Sequence, residues 1–319
     1  MDLFEKFSAV SVSAGSRISD LDRFFCEQHQ AAYHAARSAL LELRCIWEDV
    51  EKKQDELLQE TKELLSGRNS YTVSRDLSIT DARLKELLME QPCSFVQNLV
   101  HYFNRTYHTA LSADAILQRM LPEKPEYRRR DEEAWAAYEE AVLARKLTYT
   151  EVVEQLFAQM DGRQFEEQAL FELRHECHKA AWWRDGTPKF ERKKDMICFT
   201  RSACTYNDSY RSDYWTLSSD MKSILRGLAC FETGSVSVFP YRFSDLLGYG
   251  NILENQIAFS TCDKVKQLRL FKNGRVDLKF SSEQTAADFV DTYLGTVYKV
   301  RRAWKLPLEC WRIAVYSAE

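Results

Sequence analysis

The sequence predicts an α+β protein: a long N-terminal helical arm and helical region, followed by a mixed α/β body with an antiparallel hairpin sheet. Three observations predict it. Ten glycines and six prolines in 319 residues suit helices better than glycine-rich phosphate loops or many-turned sandwiches. Apolar residues recur at helical spacing from Leu21 to Leu64. In the C-terminal third, two alternating runs flank Asn273-Gly274, a hairpin signal.

Residues 1–18 are Ser-rich and weakly patterned, and read as a tail. Ser19 offers an N-cap, with Asp22 in the first turn. Leu21, Phe25, Ala32, Ala36, Ala39, Leu43, Ile46, Val50, Leu57 and Leu64 then follow, with positions 36, 43, 50, 57 and 64 a heptad apart, before Gly67 stops the pattern. A helix over about 20–66 would be roughly 70 Å long. Between Glu42 and Glu63 stand eight acids and four bases, so the outer face is solvated. The apolar stripe must pack on a returning helix of the same chain or on a second chain, as a homo-oligomer through 20–66. Lys53 and Glu60 weaken a strict zipper.

Further helices are predicted over about 80–90 (Thr80 cap), 94–107, 112–120, 131–146, 150–160 (Thr150 cap) and 163–182. Pro122 and Pro125 mark a boundary, giving an arm and bundle over 1–122 and a mixed domain over 123–319. Gly186-Thr187-Pro188 is a turn, Met196–Thr200 a short β run, and Ser219–Cys230 a helix closed by Gly234. Strands follow over 256–261, 265–271 and 276–280, then a helix near 283–294 capped by Ser282. A three-residue hairpin loop with Gly274 left-handed sets Leu268 and Leu270 opposite Leu278 and Val276. A two-residue loop would mix the faces, so the bulged form is expected.

At 45% hydrophobic and 13% aromatic, the chain can build packed cores. With 44 bases against 48 acids, net −4, it has no global pull toward nucleic acid. Nine scattered cysteines without a CxxC pair read as reduced thiols. The charged N-terminus and the lack of any run near ~18 apolar residues point to the cytoplasm and away from a membrane partner.

Three stretches carry a family resemblance: Asp131–Trp135 through Leu147-Thr148, Val153–Phe157 and Phe165–Phe171; Lys189–Ile197; and Leu268–Phe280. Together they are similar to the family known as domain of unknown function 4942, over roughly residues 115–295. The resemblance implies a gene carried by phages, plasmids or integrated elements and implies no established chemistry. Some members carry an adenine methyltransferase; this chain has no Asp-Pro-Pro-Tyr-like motif.

Candidate chemistry is sparse. His175-Glu176-Cys177-His178 sets two histidines on one helix face, but the spacing is not HExxH, and ordinary helix residues are the expectation. No catalytic residue, metal site or cofactor is assigned. Binding is expected instead at Trp182, Trp183, Arg184, Lys189, Arg192, Lys193 and Lys194, where cations stand near stacking rings. A second basic set, Lys266, Arg269, Lys272 and Arg275, decorates the hairpin beside Lys264. If the two share a face they would form a nucleic-acid groove. Lys299, Arg301, Arg302 and Lys305 near Trp304 form a third run, read as a solvated tail. Arg128–Arg130 is offset by Asp131–Glu133.

The expected function is a non-catalytic binding protein of a mobile element, an inhibitor that wraps or occupies a host antiphage-defence complex. The alternatives are a nucleic-acid-binding accessory protein using the basic sets, and a metal-dependent nuclease using Asp277, Lys279 and Asp263.

Overall fold

The computed structural model describes residues 17–64, 81–125, 131–200, 202–208, 213–248 and 251–295, with the side chains of 58–64 left aside. Residues 1–16 of the expected N-terminal tail, the Thr80 cap, Arg128–Arg130 and the third basic run lie outside the described residues, whereas Ile18 at the end of that tail is buried. The chain divides into two compact units: Met1–Thr106 with Ala110–Gln164, and Tyr107–Thr109 with Phe165–Glu319. Pro122 and Pro125 fall inside the first. Among the described residues no helix is long and apolar enough to cross a membrane.

In the first unit, α1 spans Asp20–Leu64, a single helix of 45 residues or about 67 Å. Its start is a reciprocal cap. Asp22 accepts from the Ser19 amide at 3.2 Å and from its hydroxyl at 2.6 Å, while the Ser19 hydroxyl accepts from the Asp22 amide at 3.1 Å. The returning helix α2 spans Asp81–Tyr107. Phe25 stacks on Tyr102, and Tyr33 on Phe95, with ring centroids 3.7 and 4.6 Å apart. Two helices were expected over 80–90 and 94–107, but α2 runs unbroken through the buried Pro92.

Its continuity has a visible cause. Proline has no N–H, so the carbonyl four residues earlier, Leu88, loses its helical donor. The Arg37 guanidinium supplies one at 3.2 Å from α1. Its other nitrogen donates to Val142 at 3.2 Å and also to Leu143, carbonyls in the last turn of α4 (Glu132–Ala144), of which Val142 also accepts from the Arg145 amide. One buried arginine thereby mends a proline break in one helix and caps the end of another.

Short helices complete this unit. α3 (Ala113–Met120) is capped by Ser112, whose amide and carbonyl are both held by Gln159. α5 (Tyr149–Gln159) is capped by Thr148, not Thr150, in a full capping box with Glu151. Gln30 and His34 of α1 reach this junction through the Tyr149 amide (2.7 Å) and the Leu147 carbonyl (3.1 Å).

The second unit begins with α6 (Phe165–Ala181) and contains a five-stranded antiparallel sheet in the order β1-β2-β7-β6-β5. Its strands are β1 Phe190–Lys193, β2 Met196–Phe199, β5 Gln256–Ala258, β6 Val265–Leu270 and β7 Val276–Phe280. Ile197, Leu278, Leu268 and Ile257 stand in one cross-strand row and enter a single apolar core with α6, α7 (Ser219–Thr233) and α9 (Glu283–Phe289). A π turn, Val290–Leu294, continues α9. A two-stranded hairpin, β3 (Cys204–Asn207) with β4 (Tyr214–Leu217), and a short α8 (Phe243–Leu247) complete it.

The β6–β7 hairpin takes the expected bulged register: Leu268 faces Leu278, Leu270 faces Val276, and Gly274 has φ +83°. Gly274 also accepts from the Ala203 amide at 3.0 Å, and a Cβ there would crowd the Ser202 and Cys204 backbone. Gly227 of α7 is required by contact rather than conformation, since a Cβ would stand 2.4 Å from the Cys177 sulfur of α6. The lysine-rich segment, where no strand was expected, forms strand β1, with a turn at Lys194 (φ +51°).

Candidate functional site

The predicted binding residues all lie in the second unit, and the structure distributes them over three places. The first is a cavity of about 160 Å³ whose lining includes Trp183, Lys189, Phe199, Ser218, Asp220 and Met221. Pro188 and the turn before it fold back to β1, bringing the Lys189 ammonium 4.8 Å above the exposed Trp183 ring and 2.7 Å from Asp220. The cavity presents an apolar floor and an aromatic wall. Its cation is already answered by a carboxylate, so an arriving phosphate must first break that pair. Trp182 serves the fold instead. Its indole donates to the Leu294 carbonyl at 2.7 Å, and its ring meets Phe190 edge-on.

The second place is the solvent face of the sheet. Strand register places Gln256, Arg269, Asp277, Cys198 and Glu191 in one row, and Ala258, Gln267, Lys279, Met196 and Lys193 in the next. One residue from each predicted basic set, Lys193 and Arg269, therefore shares a face. The acids interleave: Lys193 pairs with Glu191 at 3.0 Å, and Arg275 with Asp277 at 3.0 Å. The Asp277 carboxylate, the expected nuclease ligand, is thus held by a guanidinium. Cys198 beside it is pushed up to about 11 by burial and then by the Asp277 charge.

The third place is scattered. Arg192 reaches Glu283 at 3.7 Å, Lys266 donates to the Cys262 carbonyl, and Lys272 lies 4.1 Å above the Tyr206 ring at the hairpin tip. Arg184 and Lys194 are exposed. The eleven residues do not form one groove. His175 and His178 are both lowered below the ordinary imidazole range, first by burial, and among the described residues no three His, Cys, Asp or Glu side chains assemble as a metal site would require.

In the first unit the feature that stands out is on α1. Its packed face is Asp22, Cys26, Tyr33 and Arg37, all buried. Asp22 accepts a further bond from the Tyr102 hydroxyl at 2.8 Å, and Tyr102 is pushed up to about 12, first by burial and then by that bond and charge. The apolar stripe read from the sequence lies about a third of a turn away and is largely outside. Leu21 is 72% exposed, Ile46 60% and Leu57 71%, with Ala32, Ala36, Ala39 and Leu43 also exposed, Val50 half-buried, and Phe25 half-buried against Tyr102; Phe24, outside the predicted stripe, is exposed beside it. The expectation of packing on a returning helix is met, but through a different face from the one proposed. Apolar periodicity could not reveal the packed face, because an aspartate and an arginine hold it.

No family model, no curated protein and no solved structure matches the chain.

Proposed function

We propose that this protein works by binding another protein, without catalysis, and that α1 is the binding element. One observation carries the reading: an apolar stripe, interrupted by Lys53, lies largely exposed over residues 21–57 of a single helix, about 54 Å from end to end. Apolar patches of this extent facing water mark interaction surfaces. The helix is held about a third of a turn away by packing over residues 22–44, so that part of the stripe is presented without an ordering cost. The concrete form the family resemblance suggests is an inhibitor that occupies a host antiphage-defence complex.

The test is affinity capture from a bacterial lysate with the full chain and with Ile46→Glu. The reading expects a stoichiometric partner retained by the first and lost by the second. Capture of nothing, or equal capture by both, removes it.

A second reading, a nucleic-acid-binding accessory role, is favoured by Lys193, Arg269 and Lys279 sharing the sheet's solvent face. It ranks below the first because Glu191, Asp195 and Asp277 interleave with those cations. Single-stranded DNA binding at low salt that weakens steeply as salt rises would raise it; no binding at low salt would dismiss it.

A further inference from the structure

The flank of the exposed stripe narrows the class of partner, on the premise that the stripe is a binding face. Viewed down α1, one border of the stripe runs along Glu42, Asp49 and Glu56, seven residues apart like the stripe itself. All three are exposed, and none makes an ion pair among the described residues. Lys53 is the one cation on that border among the described residues. The acids nearer the packed face are differently placed: Glu48 pairs with Arg44 at 3.0 Å, and Glu51 accepts from the Trp47 indole. The other border, at Phe25, Ala36 and Gln54, is uncharged and turns into the packed face.

A second copy of the chain fits this pattern poorly. Laid antiparallel, two stripes set Glu42, Asp49 and Glu56 against the same row. Laid parallel, they set that row against the uncharged border. Neither arrangement answers the acids, and like charges at coiled-coil flanks select against a pairing. A helix with apolar residues at heptad spacing and lysines or arginines along one flank answers both the stripe and the row.

We infer that the exposed face of α1 takes a basic amphipathic helix of another protein, seated lengthwise with its cations on Glu42, Asp49 and Glu56. The apolar seam supplies affinity, and the acidic row selects the partner and its orientation. As a screened surface effect, the selection weakens as salt rises.

The test uses the full chain and two designed helical peptides of about four heptads. Both carry the same apolar seam; one is flanked by lysine and the other by glutamate. Fluorescence anisotropy at low salt is expected to show the lysine peptide binding about tenfold tighter, the sum of three modest ion pairs. The Glu42→Lys/Asp49→Lys/Glu56→Lys variant should reverse the order, and Ile46→Glu should lose both peptides. Equal binding of the two peptides, or a preference that survives the charge reversal, overturns the inference. Light scattering guards the alternative: self-association of the full chain that Ile46→Glu abolishes makes the occupant a second copy and also overturns it. The two readings fail separately. If Ile46→Glu abolishes capture from lysate while charge reversal changes nothing, the binding face stands and the basic-helix partner falls.

Discussion

The two long faces of α1 invert the usual arrangement. The face that packs carries Asp22 and Arg37, both buried, and the face left to solvent carries Leu21, Phe24, Ile46 and Leu57. Burial of charge is tolerated here because each charge has a complete set of partners. Asp22 is met by Ser19 and Tyr102, and Arg37 by the Leu88, Val142 and Leu143 carbonyls, the first of which has lost its helical donor to Pro92. Apolar side chains can pack against many surfaces, whereas these polar groups match only one. Polar complementarity therefore decides which face goes in, and the apolar face is left available.

The most direct way to break this contrast is Arg37→Met. It keeps much of the volume but takes a donor from three carbonyls, leaving Val142 with only the Arg145 amide, and is expected to cost about 3 kcal/mol, lowering the melting temperature by roughly 8 °C. A calorimetric change under about 1 kcal/mol would mean the packed face is held mainly by its rings. A finer probe adds Pro92→Ala, which gives residue 92 an N–H for Leu88. In a double-mutant cycle the loss from Arg37→Met should shrink by about 1 kcal/mol when Ala occupies 92, because the helix then mends itself. Strict additivity would sever the proposed link between the two residues.

The Asp22–Tyr102 contact gives a smaller, pH-dependent effect. The folded Tyr102 value, about 12, lies above the ordinary unfolded value near 10. Its contribution is therefore whole below about pH 10 and is lost as pH rises toward 12. The stability difference between the wild type and Tyr102→Phe, read from denaturant titrations at pH 9 and 11, should narrow at the higher pH. On the solvent face, Ile46→Glu should change stability by less than about 0.5 kcal/mol while removing partner binding. A large loss of stability there would show that the exposed stripe is structural after all.

Much of the fold was legible from local patterns. The 45-residue helix followed from periodicity, and the β6–β7 register followed from Asn273-Gly274 and the need to keep Leu268 and Leu278 on one face. Other elements were hidden for physical reasons. Strand β1 was not expected because an edge strand carries charge, here Glu191, Arg192 and Lys193. β3 and β4, four residues each, are too short for alternation to register. Unbroken α2 was invisible because what repairs Pro92 comes from Arg37, 51 residues before the carbonyl it serves. The binding residues were the least legible. Trp182 looks like Trp183 in sequence, yet one serves Leu294 and the other faces a cavity.

The Arg37 bridge has a consequence for how the first unit opens. With the Leu88 carbonyl and the end of α4 both answered from α1, peeling the arm away leaves neither helix whole. The arm cannot lift off as an independent lever. Amides in the middle of α2 and at the close of α4 should then trade their hydrogens for deuterium together, at the pace set by release of α1. A partner seated on the outer side of that arm would slow exchange at both places without touching either.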